Sequence, residues 1–418
     1  MHLYGVSRES YRRSNAKTQK EAKAQISTRQ EFEETGCRIG YFRRDGYAGI
    51  IGRETTFRIN TRYMTTSSRT KIGLIGAGWW ATANHLPVLV ERDDIDLASV
   101  CRLGADELQQ VKEKFGFTHA TQDYRELLET PGLKGVIVAS PHTLHYEHAL
   151  AALKKGLHVM CEKPLTTRAD QARELVEEAD KQGVELMIPY GWHYGEFIQE
   201  AKRRMDDGAV GQIEFVMCHM ASPVRSLLEG KQFLSTGGGA GEIMFEPAAD
   251  TWADPVIAGG GYALAQMSHS AGLAFWLTGL AAESVVALTS APTSKVELYD
   301  SFSVRFAGGA IGSFSGAGAL PDNQKFQLDV RIFGSEGSMN VDCDRARLEV
   351  LRHDGTNFSM DLPADAGEYF GGGPTSGFAD IVTGKSKTNW SPGWAGMRAV
   401  EMIDAAYRSV ESGKSETV

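Results

Sequence analysis

The strongest indication of the fold is one segment of the chain, Lys71-Ile72-Gly73-Leu74-Ile75-Gly76-Ala77-Gly78-Trp79-Trp80-Ala81. An apolar strand over 71–75 runs into a glycine turn, and a helix is predicted directly after it. Gly76, Gly78 and Ala81 fit the G-x-G-x-x-G/A pattern, in which backbone amides approach a pyrophosphate at a helix N-terminus. Glycine turns between strands and helices are common, so the pattern alone is weak. Its strand–turn–helix context favours dinucleotide binding over a purely structural turn.

Outward from this turn, strands and helices alternate as far as residue 190. Strands are predicted over 71–75, 96–101, 135–139, 157–161 and 184–188, with helices over 105–115, 146–155 and 168–182, the last ending at Gly183. This alternation is typical of an α/β fold with a doubly wound parallel sheet of the Rossmann type.

After Gly191 the pattern changes. Helices are predicted over 195–207, 263–278 and 394–411, and strands over 212–220, 283–290, 299–306, 310–315, 326–333, 338–341 and 347–352. Such spacing predicts an α+β domain with a large, mostly antiparallel open sheet and helices on one face. We therefore divide the chain into an extension over 1–66, a nucleotide-binding domain over 67–190 and a second domain over 191–418.

The composition limits the class of protein. The chain has 418 residues, 42% of them hydrophobic, and a formal charge of −9, which argues against nucleic acid or an anionic membrane as a partner. Five scattered cysteines without CxxC or zinc spacing indicate free thiols in a reducing compartment. No apolar run is long enough to span a bilayer and no signal core opens the chain, so we expect a cytoplasmic protein.

Residues 1–63 differ from the rest. They carry 13 Lys and Arg against 7 Asp and Glu, and they lack a sustained apolar period. We interpret them as a disordered or non-native extension, with Met64 as the candidate natural start. A basic arm that docks a partner or closes an oligomer is the alternative.

Candidate cofactor contacts follow the first two strands. Trp79 and Trp80 either wall the nicotinamide or substrate side of the crevice or simply pack on the sheet. Arg102 directly follows the second strand, and no acid occurs before Asp106. Arginine at this position accommodates the 2′-phosphate of NADP, so NADP is preferred over NAD, unless Arg102 faces solvent without touching the cofactor.

The third predicted strand ends in Ala139-Ser140-Pro141-His142-Thr143-Leu144-His145. Because this end lies at the crevice, the segment predicts cofactor contacts at Ser140, Pro141, Leu144 and His145. His142, His145 and His148 are three residues apart and also raise the question of a metal. Without a nearby acid or cysteine cluster, we predict that no metal binds there.

Glu162-Lys163-Pro164 follows the next apolar strand. A lysine held beside NAD(P) and a substrate has a lowered pKa and can transfer the proton that accompanies hydride transfer. Proline after it makes a rigid turn that directs the side chain. The alternative is a surface ion pair at the end of a strand, but catalysis by Lys163 is favoured.

A second candidate acid/base is His269, on the helix after the glycine run Gly259–Gly261. A lone histidine among apolar residues is more often part of a core. Its combination with Lys163 makes it a candidate catalytic residue.

These motifs resemble the Gfo/Idh/MocA family of NAD(P)-dependent oxidoreductases. The resemblance covers about 70–415 and is most specific in the segment from Ala152 to Leu165, which contains Glu162-Lys163-Pro164, and in the closing stretch Asn389–Gly413. It implies that Lys163 and His269 are catalytic and that Pro141 and His145 flank the cofactor. It also implies that the second domain carries the substrate and forms a homodimer or homotetramer through its open sheet.

The chain departs from the family pattern twice. Family members commonly have an aspartate four residues before the histidine, where this chain has Ala265, and Gln266 and Ser268 cannot relay a proton as a carboxylate does. The family's Asn-Arg-Arg is replaced by Gly191-Trp192-His193. His193 could therefore carry part of the proton traffic or merely pack.

Together these features predict a dehydrogenase or reductase acting on a sugar, sugar derivative or cyclitol. Polar and aromatic residues are the candidate substrate contacts, with a surface-loop role as the alternative for 250–254: Trp192, His193, Arg225, Asp250, Trp252, Asp254 and Gln266. Two other functions stay open. One, implied by the resemblance, is a glycoside hydrolase that uses transient oxidation by bound NAD; the other is a non-catalytic nucleotide-binding sensor.

Overall fold

The computed structural model describes residues 69–231 and 243–418. The predicted extension over 1–66, with its question of a start at Met64, lies outside the described residues.

The first sheet has six parallel strands in the order β3-β2-β1-β4-β5-β6. Their bounds are β1 Thr70–Ile75, β2 Ile95–Cys101, β3 His119–Thr121, β4 Leu133–Val138, β5 His158–Cys161 and β6 Leu186–Met187. The chain reverses direction along the sheet between β1 and β4, so the crevice at their carboxyl ends is the switch point where ligands of such folds bind. This confirms the predicted doubly wound sheet.

Helices connect these strands and cover the sheet. They span Leu86–Val90, Ala105–Phe115, Tyr124–Leu128, His145–Lys154 and Ala169–Gln182, and a π-helical turn, Ala81–His85, precedes the first of them. Gly183 has φ 65° and ends its helix, as predicted, because glycine adopts the left-handed conformation without steric cost.

The second sheet has nine strands in the order β14-β13-β12-β11-β7-β10-β9-β8-β15. Their bounds are β7 Ile213–Ala221, β8 Ala282–Ser290, β9 Tyr299–Phe306, β10 Ile311–Ala317, β11 Gln327–Gly334, β12 Gly337–Asp342, β13 Arg347–Arg352, β14 Phe358–Ser359 and β15 Glu416–Thr417. All described pairs are antiparallel except β7 with β10, which confirms the predicted, mostly antiparallel sheet.

One face of the second sheet packs against helices. The alternating strand residues Phe302, Phe306 and Phe314 are buried with Phe275 of a helix in one core. The helices after β6 are Glu196–Asp206, Arg225–Leu228, Asp250–Ala253, Pro255–Ala258, Ser268–Thr278, Gly372–Thr383 and Gly393–Ser412. Ser268–Thr278 continues a π-helical turn, Ala263–Met267, so the helix predicted over 263–278 is present with a local widening.

Several elements lie outside the sequence predictions, and two of them show why. β3 is only three residues long and gives no readable alternation. The helix Gly372–Thr383 contains four residues that disfavour helices, Gly372, Gly373, Pro374 and Gly377. It forms because Gly373 and Gly377 allow Tyr194 to approach closely, and its Phe378 is buried in the core of the first sheet. The domain boundary at residue 190 therefore stays a prediction, because the helix Gly372–Thr383 lies beyond that boundary in the chain but packs on the first sheet.

Candidate active site

A cavity of about 1160 Å³ lies at the carboxyl ends of β1, β2, β4 and β5 and extends toward the second sheet. Its lining brings together all of the predicted cofactor residues: Gly76, Gly78, Trp79, Trp80, Arg102, Ser140, Pro141, Leu144, His145, Glu162 and Lys163. The candidate residues His269, Trp192, Trp252 and Gln266 line it as well. The cavity therefore joins the glycine turn to the candidate acid/base groups.

The glycine turn is built for close approach. Gly76 has φ +90°, and a Cβ there would lie 2.4 Å from backbone atoms of Ala139 and Ser140. Its N–H donates to the carbonyl of Cys101, which joins the turn to the end of β2. Gly78 is different, because a Cβ there would meet no atom nearer than 4.0 Å. The turn thus leaves open space against its backbone, as a pyrophosphate requires.

Arg102 lies at the end of β2 and lines the cavity. Its guanidinium donates to the carbonyls of Ala77 and Leu103 and lies 4.2 Å from the centroid of the Phe245 ring. These contacts hold the guanidinium at the cavity wall and leave further N–H groups to bind an anion, because guanidinium has five donors.

The three histidines at the end of β4 bond to protein groups. The Nδ1 of His142 lies 3.1 Å from the carbonyl oxygen of Ala258, and the Nδ1 of His148 lies 2.9 Å from Ser140 Oγ.

The ring of His145 lies between the carbonyls of Ser140 and Pro164, 2.8 and 2.7 Å away. His145 thereby ties the end of β4 to the Lys163–Pro164 turn. Within 69–231 and 243–418, no group of three or more metal-ligating side chains converges.

Lys163 is buried, and its Nζ donates to the carbonyl of Ala265 over 2.9 Å. Nζ also lies 5.2 Å from the centroid of the Trp252 ring. Burial lowers the pKa of Lys163 from its usual 10.5 to about 8, despite the opposing charge of Glu162. A lysine with this pKa exchanges protons readily near neutral pH, which suits a general acid or base.

Glu162 is held by a partner that the sequence did not reveal. His85 Nε2 lies 2.9 Å from the Glu162 carboxylate, and His85 Nδ1 lies 2.7 Å from Thr375 Oγ1. Burial would raise the pKa of Glu162, but the hydrogen bond from His85 and the charges of His85 and Lys163 outweigh it, so its pKa is lowered. The carboxylate therefore stays charged beside Lys163.

His269 lies on the helix whose preceding turn supplies the Ala265 carbonyl to Lys163. Its ring packs against Trp192 and Tyr369, with centroid distances of 5.6 and 5.5 Å. Burial, then the charges of Lys163 and His193, lower the pKa of His269 well below its usual value. The ring is neutral at physiological pH and lies at the cavity with one nitrogen able to accept a proton.

Comparisons with known proteins agree with this geometry. Residues 70–190 match the oxidoreductase family model with an NAD-binding Rossmann fold, and residues 198–340 match the GFO/IDH/MocA C-terminal domain. The chain belongs to the Gfo/Idh/MocA family.

Curated relatives of this Gfo/Idh/MocA chain include sugar and cyclitol dehydrogenases. The match to D-glucoside 3-dehydrogenase of Escherichia coli K12 is 34% identical and covers 35% of this chain and 42% of the relative. Levoglucosan dehydrogenase of Pseudarthrobacter phenanthrenivorans is 26% identical over 66% of this chain and 74% of the relative. Myo-inositol 2-dehydrogenase of Thermotoga maritima is 26% identical over 67% and 78%, respectively.

Solved structures show the same fold. An oxidoreductase domain protein from Kribbella flavida has a TM-score of 0.69 at 23% identity, over 84% of this chain and 99% of that one. Levoglucosan dehydrogenase in complex with NADH has a TM-score of 0.67 at 20% identity, with the same coverage.

Four predicted substrate residues of this Gfo/Idh/MocA chain do not line the cavity. His193 is fully buried, bonds through Nδ1 to the Trp390 carbonyl and stacks on Trp276. Arg225 pairs with Glu229, Asp254 caps the helix Pro255–Ala258, and Asp250 is exposed at a helix start. Their polar groups are used in local structure or turned to solvent, although Thr251 and Trp252 between the two acids do reach the cavity.

Several lining residues of the Gfo/Idh/MocA site were missed from the sequence. Phe326, Tyr369 and Phe245 bring aromatic rings from three separate loops. No motif surrounds them, and the only available signal was the aromatic pair Tyr369-Phe370 before a glycine run.

Every helix within residues 69–231 and 243–418 is too short or too polar to span a membrane.

Proposed function

We propose that the protein is an NADP-preferring dehydrogenase or reductase that acts on a CH–OH carbon of a sugar, sugar derivative or cyclitol. The observation that carries this proposal is the buried Lys163, which lies in one cavity with the glycine turn and His269. The named activities of the relatives support the substrate class. A non-catalytic sensor would have no need for a buried lysine whose pKa is lowered to about 8.

The residues of the turn fit a dinucleotide, because Gly78 leaves open the space that a Cβ would fill, while Gly76 lets the turn pass close to the backbone at the end of β4. Gly76, Gly78, Arg102, Ser140, Pro141 and His145 would hold NADP, which supplies hydride acceptance or donation when bound. Lys163 takes the proton of the substrate hydroxyl during oxidation and returns one during reduction. His269 accepts a hydrogen bond from the same hydroxyl and helps to orient it. Trp79 and Trp80 close the cavity on this side.

Aromatic and polar groups around Lys163 suit a carbohydrate. Trp192 and Trp252 offer apolar ring faces for the C–H face of a sugar, and Gln266 offers both a donor and an acceptor for hydroxyls. This pattern of flat apolar surface with few polar groups fits a sugar or cyclitol better than a linear acid.

The cofactor preference rests on Arg102 and is tested by calorimetry with NADP⁺ and NAD⁺. In Arg102→Ala, we expect weaker NADP⁺ binding and little change for NAD⁺, because the guanidinium would pair with the 2′-phosphate. Arg168→Ala is the matched control, since Arg168 is exposed and outside the cavity. A wild type that prefers NAD⁺, and does so unchanged in Arg102→Ala, would overturn the cofactor assignment.

The activity is tested with a panel of sugars, cyclitols and glycosides, monitored by absorbance of the reduced nicotinamide. Substrate-dependent reduction that is lost in Lys163→Met supports a dehydrogenase. Cleavage of glycosides without net release of reduced cofactor would favour the hydrolase instead. Binding of nucleotide without either reaction would favour the sensor.

We also propose that the protein is cytoplasmic and self-associates through the outer face of its second sheet. Exposed apolar side chains lie on that face, opposite to the helices: Val286, Leu288, Tyr299, Ile311, Phe333 and Leu351. Several large exposed apolar side chains on one sheet face support an interface.

A further inference from the structure

Three buried polar atoms lie together behind the cavity. They are Nδ1 of His269, the hydroxyl of Tyr190 and Nε2 of His193, and none has a hydrogen-bond partner among residues 69–231 and 243–418. The Tyr190 ring centroid lies 5.5 Å from that of His269 and 5.1 Å from that of His193. Buried polar groups are almost always hydrogen-bonded, so three adjacent ones point to a shared arrangement.

The helix that carries His269 is shaped to receive the tyrosine. Ala265, His269, Gly272 and Trp276 lie on one face of it, three or four residues apart. A Cβ on Gly272 would lie 2.4–2.9 Å from ring atoms and the hydroxyl of Tyr190. His193 stacks on Trp276 at a centroid distance of 4.6 Å. Glycine at 272 thus lets the ring and hydroxyl of Tyr190 pack closely against the helix that carries His269.

The direction of the hydrogen bonds among these groups follows from the Trp390 carbonyl, which contacts His193. His193 Nδ1 lies 2.9 Å from the Trp390 carbonyl, which can only accept, so Nδ1 carries the proton. In a neutral ring, Nε2 of His193 is then an acceptor. The Tyr190 ring packs against that of His193, at a centroid distance of 5.1 Å, and its hydroxyl can donate to Nε2. The oxygen of Tyr190 is left to accept from His269 Nδ1. His269 Nε2 is then unprotonated and faces the cavity.

We propose that Tyr190 and His193 are positioning residues that hold His269 with its proton on Nδ1, either directly or through one buried water, and so make Nε2 the hydrogen-bond acceptor for the substrate hydroxyl. They would keep the proton of His269 on Nδ1, as a carboxylate at position 265 would otherwise do. This inference rests on the proposed function only for its effect on catalysis. The tautomer itself is a property of the protein without substrate.

The groups that face this cluster are few. Lys163 and Glu162 lie on the cavity side, and Tyr369 packs on His269 but donates its hydroxyl to the Pro189 carbonyl. Burial lowers the pKa of His193 to about 4, so both histidines are neutral over the physiological range. Lys163, with its pKa lowered to about 8, is the group facing this cluster that changes charge close to that range.

The first test is NMR of the full-length protein labelled with ¹⁵N-histidine, with His269 assigned from His269→Asn. We expect ¹⁵N shifts of an Nδ1–H tautomer at His269 in the wild type. Tyr190→Phe keeps the ring but removes the acceptor, and should convert His269 to a mixture with Nε2–H. Tyr194→Phe is the control, because that hydroxyl contacts Met187 outside the cluster. An Nε2–H tautomer in the wild type, or no change in Tyr190→Phe, would overturn the proposal.

The second test is kinetic. Tyr190→Phe should lower kcat by about 100-fold, as expected for impaired acid–base positioning, with KM and cofactor affinity retained. Adding Ala265→Asp to Tyr190→Phe should recover part of the loss, because the new carboxylate can accept from His269 Nδ1. An equal kcat loss in Tyr194→Phe, or no recovery in the double variant together with an unchanged tautomer, would show a merely structural effect. If no sugar is oxidised by the wild type, the proposed function fails while the NMR result still decides the tautomer.

Discussion

At the scale of single residues, the environment of Lys163 decides its chemistry. The ammonium is buried with one hydrogen bond, to a backbone carbonyl, and an aromatic ring nearby. Burial disfavours the charged form, and Glu162 only partly compensates, so the pKa falls to about 8. The same side chain on the surface would be a permanently charged ammonium at pH 7 and a poor base.

We predict that sugar oxidation at saturating cofactor increases with pH up to about 8 and then levels off, because the neutral amine of Lys163 accepts the hydroxyl proton. Lys163→Met should lower kcat by about 10²–10⁴-fold while NADP⁺ affinity is retained. The pH profile of kcat/KM checks the first statement. A profile without an inflection between about pH 7 and 9 would contradict it.

The lowered pKa of Lys163 also makes the stability of the fold depend on pH. The folded-state pKa lies below the usual 10.5, so between about pH 8 and 10.5 the unfolded chain binds the proton more tightly. The contribution of Lys163 to the free energy of unfolding therefore increases with pH across that window. Chemical denaturation of the wild type and Lys163→Met at several pH values measures their free energies of unfolding. The value for the wild type should increase with pH across this window relative to the value for Lys163→Met.

At the scale of elements, the β1–turn–helix unit separates two uses of glycine. Gly76 is required by the fold, since its φ is +90° and its Cα faces the backbone at the end of β4. Gly78 faces open space, so its missing side chain serves the ligand instead.

This difference predicts distinct results for two alanine substitutions. Gly76→Ala should lower the free energy of unfolding by about 1–3 kcal/mol, because it adds strain at a positive φ and a backbone clash. Gly78→Ala should leave stability nearly unchanged but weaken cofactor binding, because its methyl group occupies the space for the pyrophosphate. Thermal denaturation and calorimetric titration of both variants test this. Equal stability of the two variants would contradict the assignment.

At the scale of the whole molecule, the nine-stranded sheet has one face covered by helices and one open. Strand pairing places Leu351, Phe333, Phe215 and Ile311 in one row across the open face, with Ser338 between the first two. The rings of Phe215 and Phe333 lie 6.0 Å apart within this row. An apolar row across the middle strands of an open sheet can pack against a second copy of the same surface.

We predict that the wild type is a dimer or tetramer and that Phe333→Glu lowers its association state, because a charge would be buried at the centre of the interface. Size-exclusion chromatography with light scattering measures the mass. Val410→Glu is the control, since Val410 is exposed on the terminal helix rather than on this face. A wild-type monomer, or equal dissociation in both variants, would contradict the interface.

Much of the fold was predictable because its signals are local. β1 and its glycine turn, the helix ended by Gly183 and the alternating strands of the second sheet all follow from patterns within a few residues. β3 and the helix Gly372–Thr383 were not predictable, since one is too short to show a period and the other forms against its own propensity. Tertiary packing against Tyr194 overrides that propensity.

The candidate site also has one part that local sequence patterns predict and another that depends on tertiary contacts. The family, the two-sheet architecture and the segments at the carboxyl ends of β1, β2, β4 and β5 follow from the amino-acid sequence, because neighbouring residues specify turns and strand ends. Which candidates meet depends on tertiary contacts. These contacts join Lys163 to Ala265, place His85 beside Glu162 and bury His193 away from the cavity. These contacts join residues far apart in the chain, and their geometry depends on how the two sheets and the helices between them pack.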